Sequence, residues 1–274
     1  MTNSSAAKAD NAVISIRGVS MSYGARRVLD EVDLDVCRGE ILVLLGGSGS
    51  GKTTLLKHLL GLAKPETGSI TINGVDITRC SPSELGAVRR RIGVAFQGGA
   101  LFNSMSVEDN VALPLRELTR LADSTIKLVV WMNLIALGLS DAGSLYPPEL
   151  SGGMRKRAAV ARAMALDPEI LILDEPSAGL DPIVSAGLDE LILFLNRSFG
   201  ITILVVTHEL ESAFHIADRV AMLYRGRLIA VDRKEQFAGN AHPRIRQFLD
   251  REPDAIPRVA ADEFLAAFMR GVQT

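Results

Sequence analysis

Apolar positions along the chain follow two rhythms, and the first is a strict alternation. Residues 13–20 alternate in period two, and residues 32–36 repeat it as V-D-L-D-V. Both read as half-exposed antiparallel strands. Ile41–Leu45 is continuously apolar and rich in β-formers, as a strand covered on both faces should be. Residues 170–173 and 201–206 have the same character, with a helix between them. Residues 69–73 form a short strand ending in Asn73-Gly74, and residues 220–233 form a second hairpin around Arg225-Gly226. The other rhythm is helical and fills residues 104–165, where Ser106 with Asp109 marks one helix start and Ser124 another. The pattern predicts an α/β fold: a mostly parallel core sheet, an antiparallel β edge near the N-terminus and an inserted helical subdomain.

Composition narrows the class. The 274 residues suffice for a large core, and 47% of them are hydrophobic. No apolar run approaches the roughly 18 residues that cross a bilayer. A formal net charge of −2 gives no global basic field for nucleic acid. Residues 1–12 are small and polar, lack the apolar stretch of a leader and read as disordered. Cys37 and Cys80 match no metal or redox spacing and read as reduced thiols. These features predict a cytosolic protein with no membrane span of its own.

The chemistry concentrates at three places. Gly46-Gly47-Ser48-Gly49-Ser50-Gly51-Lys52-Thr53 fits G-x-x-x-x-G-K-[ST] between a buried strand and a helix, the context that motif requires. Glycines there let backbone N–H groups wrap phosphates. Lys52 brings a charge to the outer phosphates, and the Thr53 hydroxyl can ligate Mg²⁺. Asp174 and Glu175 end a buried strand, where ligands of open α/β sheets bind. Successive strand positions face opposite ways, so Asp174 can hold Mg²⁺ through water while Glu175 faces an attacking water. The third place is Leu150-Ser151-Gly152-Gly153-Met154, at the head of an alanine-rich helix. Its free N–H groups and hydroxyl offer a second surface for an anion. Arg155, Lys156 and Arg157, which follow, read as a solvated helix face.

With these motifs in order, the chain resembles the ATP-binding cassette (ABC) ATPases from about residue 13 to residue 232, and LSGGM matches their signature sequence. The resemblance implies further roles. Tyr23 matches the aromatic residue that stacks on adenine, and Thr54 falls within the nucleotide-binding run. Gln97, in VAFQ, matches the Q-loop residue at the junction with the helical subdomain, a Mg²⁺ and catalytic position. Ala178-Gly179-Leu180-Asp181 matches the D-loop, and His208, in VVTH, the switch histidine. Arg157 matches a basic position that braces the signature helix, whereas His58, His215 and His242 fit no motif and read as structural. In this family two cassettes pair head to tail, so Ser151, Gly152 and Gly153 of one copy would close on the ATP held by the other. The implied cofactors are ATP and Mg²⁺, and the implied activity is ATP hydrolysis by a homodimer.

Local wording narrows the resemblance. Residues 100–107 and 110–115, the Met154 form of the signature, Asp181-Pro182-Ile183 and residues 244–249 (RIRQFL) are similar to the Mla-type lipid-transport ATPases. That resemblance implies phospholipid movement between two membranes. It also implies an integral permease, a periplasmic MCE-type lipid-binding protein, a small STAS-domain subunit and a place at the cytoplasmic face of the inner membrane. ATPase subunits of amino-acid and methionine importers share much of the wording and are the alternative. A binding module that hydrolyses little is disfavoured by the presence of both Glu175 and His208. The expected organisation is a tail at 1–12, an ATPase domain over 13–240 with its helical subdomain at about 98–165, and an extension over 241–274. Val259, Phe264, Leu265, Phe268 and Met269 in the extension predict a helix that packs on its own domain or on another subunit.

Overall fold

The computed structural model describes residues 11–253, 265, 266 and 268–270. The chain divides into two compact units, Met1–Phe237 and Ala238–Thr274. The first holds two sheets. Strands β1 (Ala12–Tyr23), β2 (Arg26–Cys37), β4 (Thr67–Ile72) and β5 (Val75–Asp76) make an antiparallel sheet in the order β2-β1-β4-β5. The core sheet runs β10-β9-β3-β8-β7-β6, from β3 (Ile41–Leu45), β6 (Ile92–Ala95), β7 (Ile170–Asp174), β8 (Thr202–Thr207), β9 (Arg219–Tyr224) and β10 (Arg227–Arg233). Its pairings are parallel except β9 with β10. The expected antiparallel edge near the N-terminus is thus a separate sheet, and the antiparallel edge of the core comes from the later hairpin.

Helix α1 (Lys52–Leu59) joins the two sheets. Its Leu55, Leu56 and Leu59 share one core with Ile14 and Ile16 of β1, Ile70 and Ile72 of β4, and Leu42 and Leu44 of β3. Ile41, Val43 and Leu45 turn to the opposite face and are also buried, which is why β3 is apolar at every position. Each large aliphatic side chain so buried contributes about 1.5–3 kcal/mol. The helix after the glycine-rich loop is therefore fixed from both sides. The two hairpin turns each carry consecutive positive φ angles, 47° and 81° at Asn73-Gly74 and 47° and 83° at Arg225-Gly226. That geometry matches the right-handed twist of the flanking strands.

Helix α2 (Pro82–Arg89) precedes β6, and the helical insert that follows contains α3 (Val107–Leu118), α4 (Asp123–Ala136) and α5 (Gly152–Met164). Ser106 caps α3 as expected, accepting from Asp109 N–H at 3.1 Å. The second expected start is displaced. Ala122 is the N-cap of α4, no side chain caps it, and Ser124 lies inside the helix. Asp123 in the first turn favours the earlier start through the helix dipole. After β7 come α6 (Pro182–Phe199) and α7 (Leu210–Ile216), then the short α8 (Lys234–Ala238).

In the second unit α9 (Pro243–Leu249) begins at His242, whose side chain accepts from Arg244 N–H at 3.2 Å. Leu265, Phe268 and Met269 lie on helical backbone and are 56–60% exposed. Val259 and Phe264 lie outside the described residues, as do residues 1–10. No disulfide links Cys37 and Cys80, and His58 is buried with Nδ1 3.0 Å from the Ala63 carbonyl oxygen.

Candidate functional site

The C-terminal ends of β3, β7 and β8 open into one cleft of about 430 Å³. It gathers Tyr23 at the rim, residues 47–54 along one wall, and Gln97, Asp174, Glu175 and His208 along the other. Residues spread over 186 positions of sequence thus meet at the strand ends. Tyr23 is 51% exposed, so its ring is free to stack. Gly49 and Gly51 sit at φ 75° and 112°, a region that favours glycine. A Cβ on Gly51 would lie 2.8 Å from the Val28 carbonyl oxygen.

Gly46 has a different job from its neighbours. A Cβ there would lie 2.5 Å from the Leu223 carbonyl oxygen and 2.6 Å from Ser50 Oγ. Its own carbonyl accepts from Lys52 Nζ at 2.6 Å, and that of Gly47 at 3.3 Å. The later hairpin supports this loop, because Gly226 N–H donates to the Ser50 carbonyl at 3.0 Å. Ser50 Oγ is buried without a partner. An unpaired hydroxyl in the lining of the cleft suits an anionic ligand with several acceptor oxygens.

Opposite Lys52 stands Glu175, 9% exposed, with Lys52 Nζ 3.9 Å from Oε1. Its Oε1 is 2.9 Å from His208 Nδ1, and Oε2 accepts from the Thr207 hydroxyl at 3.1 Å. The residue adopts φ 47°, left-handed for a side chain that disfavours it, at a cost of about 1–3 kcal/mol. Its N–H donates to Val206 O at 2.8 Å, which ties the strained peptide to β8. Burial pulls the Lys52 ammonium below the usual lysine range, against the opposing charges of Glu175 and Asp174. Burial, reinforced by Glu175, pushes Asp174 above the usual carboxylate range, with Lys52 and Lys156 opposing. Two acids and a lysine held this close favour a ligand that rearranges their charges.

Ser151, Gly152, Gly153 and Asp181 do not line this cleft. Ser151 is the exposed N-cap of α5, its Oγ accepting from Met154 N–H at 3.2 Å. The hydroxyl hydrogen remains to donate. Gly153 is buried, and a Cβ there would lie 2.4 Å from Val184 Cγ1. It makes room for α6. Asp181 caps α6, accepting from the N–H groups of Ile183 and Val184, both at 3.1 Å.

The basic run after the signature is not a uniformly solvated face. Arg155 donates to the Leu150 carbonyl at 2.8 Å, and Arg157 is half-buried. Lys156 reaches across to the cleft, donating to the carbonyls of Gln97 at 2.6 Å and Glu175 at 2.9 Å. Arg162 donates to Ala100 O at 2.8 Å and Gly99 O at 3.1 Å. Only the register of α5 shows these links, since three adjacent basic residues read alike in sequence. Asn110 was also silent in the sequence. Wholly buried, it accepts from Phe102 N–H at 2.8 Å and donates to the carbonyls of Phe102, Met105 and Ser106.

Residues 29–178 match the ABC transporter family. The chain is 46% identical over 237 residues to the probable ribonucleotide transport ATP-binding protein of Mycobacterium leprae, a match covering 86% of this chain and 68% of that protein. It is 42% identical over 261 residues to the intermembrane phospholipid transport system ATP-binding protein of Escherichia coli K12, covering 94% and 97% respectively. The fold aligns with a dimeric ATP-binding cassette solved in a post-hydrolysis state with ADP and phosphate. That alignment has a TM-score of 0.75 at 29% identity and covers 81% of this chain and 98% of the other. No helix among the described residues is long and apolar enough to cross a membrane. The chain therefore belongs to the ABC transporter family, as one of its ATP-hydrolysing cassettes.

Proposed function

We propose that this cassette drives phospholipid transport through a membrane permease, hydrolysing ATP at composite sites shared by two copies of the chain. Glu175 carries the hydrolysis. Its carboxylate is held by Thr207 and His208 at the strand ends, facing Lys52, where it can take a proton from water. His208 fixes the carboxylate's direction. Lys52 and the N–H groups of residues 47–54 hold the polyphosphate, and Tyr23 stacks on the base. Thr53, Gln97 and Asp174 supply the oxygen donors that Mg²⁺ prefers, and the metal, when bound, neutralises phosphate charge. A raised Asp174 pKa fits this role, because a buried carboxylate with too little positive charge beside it favours a cation.

The exposed Ser151 end of α5 lies outside its own cleft, which supports its use by the second copy. Asp181, at the head of the next helix, belongs to the same pairing surface. ATP held by one copy would then be completed by the Ser151-Gly152-Gly153 face of the other. Exposed apolar side chains on the insert support protein partners there. Phe102 follows Gln97, and Leu128, Trp131, Met132 and Ile135 share the outward face of α4. The partners we assign are the permease, an MCE-type lipid-binding protein beyond the membrane and a small STAS-domain subunit. These place the cassette peripherally at the cytoplasmic face of the inner membrane.

Phospholipid is favoured because the relative with that name is matched over 97% of its length. The mycobacterial relative, matched over 68% of its length, favours a ribonucleotide cargo as the second reading. Reconstitution with the co-encoded membrane subunits in phospholipid vesicles separates them. Lipid movement should require ATP and stop in Glu175→Gln, whose hydrolysis should fall by about 10²–10⁴-fold while ATP binding persists. Hydrolysis stimulated by a ribonucleotide or an amino acid, with no lipid movement, contradicts the proposal.

A further inference from the structure

Lys156 carries the further inference. It lies on α5, in the second turn after Ser151, and its ammonium group is half-buried. Its hydrogen-bond partners are two backbone carbonyls, Gln97 O at 2.6 Å and Glu175 O at 2.9 Å. Both flank the nucleotide cleft, and they belong to segments far apart in sequence. Glu175 is the strained one, at φ 47°. Its backbone is gripped at the N–H by Val206 O at 2.8 Å and at the carbonyl by Lys156. The loop after Gln97 is strained too, at Ala100 with φ 49°, and Arg162 of the same helix donates to the carbonyls of Ala100 and Gly99. Two basic residues of α5 therefore fasten both segments that aim the catalytic groups.

A lysine is an unusual choice for a purely structural tie. Burial works against its charge, and the carboxylates of Glu175, Asp174 and Glu209 face it and oppose that loss. A charged donor makes stronger hydrogen bonds to carbonyls than a neutral one.

We infer that Lys156 is a positioning residue for hydrolysis, fixing the Glu175 peptide and coupling it to the signature helix of the same chain. This rests on Glu175 being the general base. It adds a link between the two sites of a pair. The head of α5 serves the partner's nucleotide, and its second turn holds the chain's own base. A shift of α5 on closure would be felt at Glu175 directly, and misplacement by about 1 Å can cost about 10²-fold in rate.

The test uses the full-length chain, with ATP turnover and equilibrium ATP binding measured side by side. Lys156→Met should lower kcat by about 10²-fold and leave ATP affinity within about threefold, because Lys156 acts through Glu175 and not on nucleotide. Lys156→Arg, which keeps charge and donors, should recover most of the rate. Lys156→Met added to Glu175→Gln should slow residual turnover no further, a non-additivity that loose folding alone would not produce. Should Lys156→Met fail to fold, Lys156→Gln carries the same readouts. A Lys156→Met enzyme with the wild-type rate overturns the inference, as does a loss that adds in full to Glu175→Gln or an inactive Lys156→Arg. If Glu175→Gln itself turns over normally, the assignment of the base fails and this inference falls with it. That result is distinct from a fully active Lys156→Met beside an inactive Glu175→Gln.

Discussion

Individual side chains set the charge balance of the cleft. Asp174 is raised by burial first and by Glu175 second. The folded chain therefore holds that proton to higher pH than the unfolded chain does. Stability must fall as pH rises from the ordinary aspartate value through the raised one. Asp174→Asn removes the fall. Without nucleotide it should melt above the wild type at neutral pH, and the gap should close as pH drops into the ordinary aspartate range. Scanning calorimetry at several pH values checks this, and a gap that ignores pH would assign the effect to packing. At this scale the sequence was informative where chemistry dictates spacing. Residues 47–53, Asp174 and Glu175 line one cleft, and their spacing is the one that a phosphate cradle and a strand-end carboxylate would need. Lys156 was not legible, because its role depends on which carbonyls its helix faces. The sequence puts Gly153 on an anion surface, and its missing Cβ also makes room for Val184.

Elements show where periodicity suffices and where it does not. Buried strands β3, β7 and β8 announce themselves by unbroken apolar runs, and both hairpins by their turn residues. The start of α4 was misplaced because an acidic first turn outweighed a serine cap. The loop between Gln97 and α3 carries no regular pattern, and a single buried amide organises it. Asn110 closes that loop through four hydrogen bonds to Phe102, Met105 and Ser106. Asn110→Leu keeps the volume and removes the bonds, leaving the part-buried Phe102 N–H without its acceptor. A fully buried group so stranded costs about 1–3 kcal/mol, and a part-buried one costs less. Urea unfolding should show a loss of about 1 kcal/mol, and hydrogen exchange at the Phe102 amide should accelerate locally. Unchanged exchange there would mean that Asn110 does not hold the loop. Because Phe102 lies beside the proposed permease surface, the same variant should couple hydrolysis to transport less tightly.

At the scale of the molecule, two surfaces proposed to bind phosphate stand on one chain, and only one of them lines the cleft. Their separation follows from the fold. The cleft sits where parallel strands end, and the signature caps a helix of the insert. The sequence contained both surfaces, and their placement outside one another is what the structure adds. A pair of copies resolves the puzzle of the second surface, and its most direct test is complementation between two disabled variants. Ser151→Arg should bind ATP as the monomer yet fail to hydrolyse it, and Lys52→Ala should lose both binding and hydrolysis. Mixed, they form a heterodimer with one intact composite site, made from the cradle of the first variant and the signature face of the second. ATP hydrolysis should return in the mixture and peak near equal proportions. If no mixing ratio restores hydrolysis although the two variants associate, or if Ser151→Arg abolishes ATP binding by the monomer, the shared-site account is wrong.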